Sequence, residues 1–372
     1  MHWLPAILIL PYFILLLKLY RSFRKIETFD ASTNPVIFVS VVVACRNEQN
    51  NLPALLNCIA HQNYPEYLFE LIIVDDKSTD KTFQFAAEFA GISNILTLHN
   101  KGEGKKQALR TGIIASKGNL IITTDADCSM GKNWIRTIVS FYEMNRPDMI
   151  ICPVQIKSVH GFFGKFQELE FMSLQGITAG SAHSENATMC NGSNLAFTRE
   201  VYLSHSDDLH DEINSGDDIF LLHSLKKENG SKILWLESYD ALVTTNSPST
   251  YSSFLKQRSR WISKGKAYKD RYTILLGIAT FIIIILQISY LIALMFFPDL
   301  IRVFLSVIIL KSIPDFLILL NTTGRYCKRK LMWWFLPAQL IYPFYVLSVI
   351  FYSLIFRENR NFNSPFPKEI ES

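Results

Sequence analysis

Three long apolar runs in the C-terminal third, residues 273–297, 300–320 and 331–356, constrain this chain more than any other feature. Each is long enough to cross a hydrocarbon layer of ~30 Å as a helix, in which a lipid-exposed backbone satisfies its own hydrogen bonds. A fourth run, from Trp3 to Leu17, is broken only by Pro5 and Pro11, and Lys18, Arg21, Arg24 and Lys25 follow it. A cleaved leader carries its positive charge ahead of the apolar run, so this order fits a membrane anchor, spanning or re-entrant. Lys256, Arg258, Arg260, Lys264, Lys266, Lys269 and Arg271 precede the first C-terminal run, and Arg325, Lys328, Arg329 and Lys330 follow the second. By the positive-inside rule both clusters are cytoplasmic, with everything from 18 to 271, and both termini lie outside. The expected layout is an anchor over 1–25, a soluble domain over 36–265, three spans over 273–356 and a polar tail over 357–372.

The chain has 372 residues, 49% hydrophobic, with a formal charge of +4. That charge is too mild to argue for a nucleic-acid partner, and the basic residues cluster beside apolar segments instead. Six cysteines, Cys45, Cys58, Cys128, Cys152, Cys190 and Cys327, show no CxxC pair and no zinc spacing. Reduced thiols in a cytosolic domain are the plain expectation.

Between the apolar ends the pattern alternates. Residues 36–44 are β-branched and apolar, and 51–60 carry Leu52, Leu55, Leu56 and Ile59 at helical spacing. Short apolar runs at 71–74, 95–98 and 120–123 alternate with helical stretches at 81–89 and 107–115. Such runs predict an α/β domain with a parallel sheet covered on both faces, and a ligand site at the carboxyl ends of its strands.

Carboxylates crowd that edge. Asp75, Asp76, Ser78 and Asp80 follow the run ending at Val74, and LIITTDADCS places Asp125 and Asp127 after a second run. Asp and Ser before a helix cap its exposed amides, which accounts for Ser78 and Asp80. Acids at two strand ends repel one another unless a cation joins them. An Asp-x-Asp with open positions suits Mg or Mn that also takes oxygens from a phosphate, so a diphosphate is the expected partner. No GxxxxGK[ST] loop and no GxGxxG occurs, while LHNKGEGKKQAL sets Lys101, Lys105 and Lys106 among glycines between the two acidic tips.

Taken together, VVVACRNEQNNL, VDDKSTD, KGEGKKQAL, TDADC, SGDDIFLLHSLKKENG and QRSRW resemble the motifs of inverting family-two glycosyltransferases with the GT-A fold. The last matches the Gln-x-x-Arg-Trp motif of membrane-bound members, such as synthases of cellulose, chitin and hyaluronan and ceramide glucosyltransferase. The resemblance covers roughly residues 36–265. It implies that Asp76 contacts the base or ribose, with Ala44, Arg46 and Glu48 lining the pocket and Lys105 on the donor side. It further implies that Asp125 and Asp127 hold the metal and sugar nucleotide, Asp127 as the direct ligand, and that Asp218 is the base. The residue before the base is usually Glu in this family and here is Asp217, which leaves the choice between Asp217 and Asp218 open. Gln257, Arg260 and Trp261 would close over the diphosphate and acceptor end, and Cys190, Asn191, Gly192 and Ser193 would flank the acceptor. The implied reaction moves a sugar from a nucleotide-diphosphate donor, a uridine diphosphate sugar by resemblance, to a lipid-linked acceptor or a growing polysaccharide. A bacterial inner membrane is the implied location.

Other readings account for less. Asp-x-Asp after a strand also resembles aspartyl-nucleophile phosphatases, but this leaves VDDKSTD, SGDDIF and QRSRW unexplained. A non-catalytic membrane scaffold leaves both the acid pair and the separate base without a purpose. Two segments remain open. Residues 160–180 have helical spacing that suits an amphipathic membrane-surface helix or a core helix. Lys311 and Asp315, four apart in an apolar run, are expected to pair and face the bundle interior.

Overall fold

The computed structural model describes residues 4–31, 35–210, 216–228 and 230–355, which leaves the expected polar tail outside the described residues. In chain order the helices are α1 (Leu4–Arg24), α2 (Leu52–Ala60), α3 (Thr82–Ala87), α4 (Lys105–Ala115), α5 (Trp134–Asn145), α6 (Gly161–His183), α7 (Arg199–Ser204), α8 (Asp217–Leu225), α9 (Tyr251–Lys264), α10 (Arg271–Ala293), α11 (Ile301–Arg325) and α12 (Phe335–Ile355). The strands are β1 (Val39–Cys45), β2 (Phe69–Asp75), β3 (Ile95–His99), β4 (Leu120–Thr123), β5 (Ser129–Met130), β6 (Met149–Ile151), β7 (Val154–Lys157), β8 (Leu195–Thr198), β9 (Ile233–Trp235) and β10 (Val243–Asn246). These elements form two compact units, a sheet unit of residues 27–156 and 189–246 and, among the described residues, a helical unit of 4–26, 157–188 and 247–355.

In the sheet unit seven strands lie in the order β3-β2-β1-β4-β8-β6-β9. Every residue of β1, β2 and β4 is buried, as expected of strands covered on both faces. β1 pairs in parallel with β2, from Val39 opposite Phe69 to Cys45 opposite Asp75, and with β4, from Val39 opposite Leu120. The sheet is mixed rather than wholly parallel. β8, the run LAFT that follows α6, inserts between β4 and β6 and runs antiparallel to both. A second sheet is ordered β5-β10-β7. Trp134 is fully buried in the core, where its indole donates to Asn194 Oδ1 at 3.0 Å. The Asn194 amide donates in turn to the carbonyls of Pro153 and Ala241, at 2.7 and 2.8 Å.

At the amino ends of the strands the one buried acid is fully served. Glu70 Oε1 accepts from Ser40 Oγ at 2.6 Å and from the Lys117 amide at 2.6 Å. At the carboxyl ends, β2 and β4 flank β1 and reach it from opposite directions of connection. This is the topological switch point, where open α/β sheets hold ligands.

In the helical unit, three segments are long and apolar enough to cross a membrane: Arg271–Ala293, Pro298–Arg325 and Arg329–Ile355. α1 has 21 residues, which at ~1.5 Å each also approaches the ~30 Å of a hydrocarbon layer. It buries Ile9, Tyr12, Leu16, Leu19 and Phe23 on one face while Ile7, Leu10 and Ile14 point outward, so it is apolar all round. Of the two placements open for residues 160–180, the structure has the core helix: α6 packs against α1 and α11. A Cβ at Gly180 would collide with the Leu19 carbonyl oxygen, so the bare backbone is what lets α6 approach α1. Phe166, Phe254, Leu255, Tyr345 and Val349 join α6, α9 and α12 in one cluster.

Candidate active site

At the tip of β2 two acids keep a buried oxygen with no hydrogen-bond partner, Asp75 Oδ1 and Asp76 Oδ2. Asp80 Oδ1 accepts from the Thr82 amide at 2.9 Å and its hydroxyl at 2.5 Å, so Asp80 caps the start of α3 as expected. Ser78 does not cap; its hydroxyl accepts from the Asn47 amide at 2.9 Å and stitches two loops together. Asp75 Oδ2 accepts from the Ser78 amide at 3.2 Å, inside its own turn. Asp76 is fully buried, and its Oδ1 accepts from Asn100 Nδ2 at 2.5 Å and from the Gly104 amide at 2.9 Å. That amide reaches Asp76 because Gly104 sits at φ 90°, in the region glycine adopts without strain. Asp76 Oδ2 has no hydrogen-bond partner, and neither does Arg46 Nη1, 3.7 Å away. The two form an ion pair without a hydrogen bond, which leaves this acceptor and donor able to bond a ligand placed beside them. Ala44, the second-last residue of β1, lies level with Val74, and one Glu48 oxygen accepts from Asn51 Nδ2 at 2.8 Å beside the start of α2.

The tip of β4 meets the start of α8. Lys105, the first residue of α4, donates its ammonium to Asp125. Burial alone would lower the Lys105 pKa, but Asp125, Asp217 and Asp218 together outweigh it, so the ammonium is held above its ordinary range. Asp127 Oδ2 accepts from Thr245 Oγ1 at 2.9 Å. Burial and then the neighbouring Asp125 push the Asp127 carboxyl up. Asp218 is anchored twice: Oδ1 accepts from the Ile219 amide at 2.8 Å and Oδ2 from the Gly192 amide at 2.9 Å. Gly192 also accepts from Thr123 Oγ1 at 2.9 Å, so the 190–193 loop bridges β4 and α8. Within that loop Asn191 Oδ1 takes the Ser193 amide at 3.1 Å, Ser193 Oγ is buried with no hydrogen-bond partner, and Cys190 is half-buried.

Gln257, Arg260 and Trp261 lie on α9, in the helical unit. The residue between them carries the strongest contacts. Arg258 is buried and donates to Glu170 of α6 through Nε at 3.0 Å and Nη2 at 2.6 Å, while Nη1 donates to Gln257. Its guanidinium lies 4.7 Å from the Phe254 ring centre and 4.1 Å from that of Trp261, so one face of the tryptophan is covered.

Residues 40–204 match the family model described as Glycosyl transferase family 2. Those residues, less than half of the chain, are similar to family 2 glycosyltransferases. Among curated proteins it is 31% identical over 120 residues to Glycosyltransferase AglE of Haloferax volcanii, covering 32% of this chain and 40% of that one. It is 33% identical over 113 residues to the undecaprenyl-phosphate 4-deoxy-4-formamido-L-arabinose transferase of Pseudomonas savastanoi pv. phaseolicola, covering 29% of this chain and 34% of that one. It is 29% identical over 113 residues to the beta-monoglucosyldiacylglycerol synthase of a Nostoc species, covering 29% and 24%. The match thus spans less than half the length of each of these relatives. Among solved structures, the mannosyltransferase PcManGT from Pyrobaculum calidifontis, in complex with GDP-Man and Mn2+, superposes with a TM-score of 0.58 at 16% identity, over 95% of this chain and 99% of that one. The fold is GT-A-like.

Among the described residues no group of three or more His, Cys, Asp or Glu is arranged to hold a metal. Within residues 40–204 the pair Asp125 and Asp127 nevertheless fits Mg or Mn, which bind through one or two carboxylates plus phosphate oxygens. A half-buried Asp127 whose charge is disfavoured by desolvation and by Asp125 is a group that a cation would relieve. Asn100 and Thr245 bond Asp76 and Asp127 and carry no local signal in the sequence. Asn100 lies 24 residues from Asp76, and Thr245 lies 118 from Asp127.

Proposed function

We propose that this chain is a membrane-bound, inverting, metal-dependent glycosyltransferase that moves a sugar from a nucleotide-diphosphate donor to a lipid-linked acceptor. The observation that carries the reading is the gathering of Asp125, Asp217 and Asp218 around Lys105, with Asp127 beside Asp125. An acid pair suited to a metal diphosphate and a separate candidate base then share one rim.

In this reading Asp76 and Arg46 take the base or ribose, using the acceptor and donor left unserved. Asp127, with Asp125, would hold a divalent ion, which supplies charge stabilisation at the departing diphosphate. Asp218 is the base: it takes the proton of the acceptor hydroxyl as that oxygen attacks the anomeric carbon from the face opposite the diphosphate. The Gly192 and Ile219 amides fix its orientation, which favours it over Asp217. Lys105 adds positive charge beside the diphosphate. Arg260 and Trp261 are assigned to the diphosphate and acceptor on motif resemblance. The basic flanks of the apolar helices support a cytoplasmic catalytic unit, and the motif resemblance supports a bacterial inner membrane as its location.

A lipid-linked acceptor is favoured by relatives named for undecaprenyl-phosphate and diacylglycerol products. A uridine diphosphate donor follows from the motif resemblance. The test is donor turnover in lipid nanodiscs with a panel of nucleotide sugars and Mn or Mg, comparing wild type with Asp218→Asn. Metal-dependent release of nucleotide diphosphate that disappears in the variant is expected, with a labelled product of glycolipid size. A polymeric product would move the reading to a processive synthase. No turnover, or full activity of Asp218→Asn, would overturn the base assignment.

A further inference from the structure

The helical unit contains a cavity of about 80 Å3 that the reaction above does not use. Its polar lining includes Tyr12 of α1, Glu170 and Ser173 of α6, Lys311 and Asp315 of α11, and Gln339 of α12. Asp315 is the hub: it accepts from Tyr12 Oη at 2.6 Å, Lys311 Nζ at 2.7 Å and Gln339 Nε2 at 3.1 Å, and Lys311 also donates to Gln339. The expected pairing of Lys311 with Asp315 is therefore present, and it draws in two more helices. Charged groups at such depth are costly, and apolar replacements of equal volume would hold helices together as well or better. Protein interiors are close-packed, yet here the polar groups surround open space sufficient for several waters, each needing roughly 10–15 Å3.

The charges on its walls define what fits. Glu170 and Asp315 face the cavity against the single base Lys311, while Arg258 balances Glu170 from behind. A phosphate would meet two carboxylates, and a cation would find both acids already paired. An uncharged group that both donates and accepts is what remains. Lys311 and Gln339 each keep an N–H beyond those already used, as partners for its oxygen. The rest of the lining is apolar, including Leu16, Ile318 and Phe335, as an acyl chain requires. We propose that this cavity is a binding site for the neutral, hydroxyl-bearing end of a membrane lipid. A free sugar has the hydroxyls but no reason to leave water for a lipid-surrounded bundle.

The test uses the full chain in phosphatidylcholine nanodiscs with a diazirine-bearing diacylglycerol and the matching diazirine-bearing phosphatidic acid. Photolabelled residues are mapped by peptide mass spectrometry, a readout independent of donor turnover. The diacylglycerol probe is expected to label cavity residues of α6, α11 or α12, to be competed by dioctanoylglycerol, and to lose roughly tenfold in labelling when Ser173→Leu fills the space. Should Ser173→Leu fail to fold, Ala338→Leu fills the same cavity from α12 and carries the same expectation. Labelling that resists competition, or persists in the filled variants, would mean a cavity holding water only and would overturn the proposal. Equal labelling by the phosphatidic acid probe would overturn the neutral class of ligand.

Discussion

Asp76 offers one oxygen to its own protein and keeps the other for something else. Because Oδ1 already holds Asn100 and Gly104, Asp76→Asn should keep the loop in place while weakening whatever meets Oδ2. A hydrogen bond to a charged group contributes about 1.5–3 kcal/mol, so donor KM should rise roughly tenfold or more with little change in kcat. Steady-state kinetics against donor concentration checks this; an equal fall in kcat would place Asp76 in the chemical step instead. The acids were legible because apolar strands end in them, and a carboxylate at a buried strand tip has few structural uses. Asn100 and Thr245 were not, since an amide or hydroxyl acquires meaning only from a partner far away in sequence. Arg258 was read as one basic residue among several, although it is the one buried against Glu170.

At the scale of elements, Lys106 joins two pieces that carry different roles. It is buried in the first turn of α4, donates to the carbonyls of Leu209 and His210 at 2.6 and 2.7 Å, and sits 5.4 Å from the ring of Phe220 in α8. Lys106→Met should let the start of α8 drift, lowering kcat on the order of a hundredfold while donor KM holds, with Lys106→Arg in between. A KM effect alone would count against this positioning role. Glu168 on α6 ties the start of that helix. Burial would raise its pKa, but hydrogen bonds from Ser158, Lys165 and Lys328 outweigh burial and hold it below the usual range. A depressed carboxylate stabilises the fold above its ordinary pKa of ~4.3 and loses that contribution as pH falls through its folded value. Thermal unfolding in detergent should therefore show Glu168→Gln less stable than wild type near neutral pH, with the gap closing in acid. The parallel strands were legible as short β-branched runs. The reversal at β8 was not, because a run of four residues carries no mark of direction.

For the whole molecule, backbone segments pass between the two units at residues 26, 156, 188 and 246. Hydropathy marks the three C-terminal helices as spans, but the helical spacing of α6 fits a membrane surface and a helix core equally, so its place in the bundle needed three dimensions. The basic clusters predict which side each loop occupies. Cys327 is exposed beside the second cluster, whereas Cys45, Cys128 and Cys152 are buried. With the other cysteines replaced by Ser, a membrane-impermeant maleimide should label Cys327 in inside-out vesicles and not in intact cells. Labelling in intact cells would invert the topology and move the catalytic unit outside.

The acids around Lys105 also govern the form in which a donor arrives. One ammonium among Asp125, Asp217 and Asp218, with Asp127 close by, leaves that rim electronegative. A naked diphosphate approaching it is turned away before any contact forms, and the same nucleotide already chelated to its counter-ion is not. The pocket is in this sense a gatekeeper for complexes, and free nucleotide without a divalent ion should compete poorly for it.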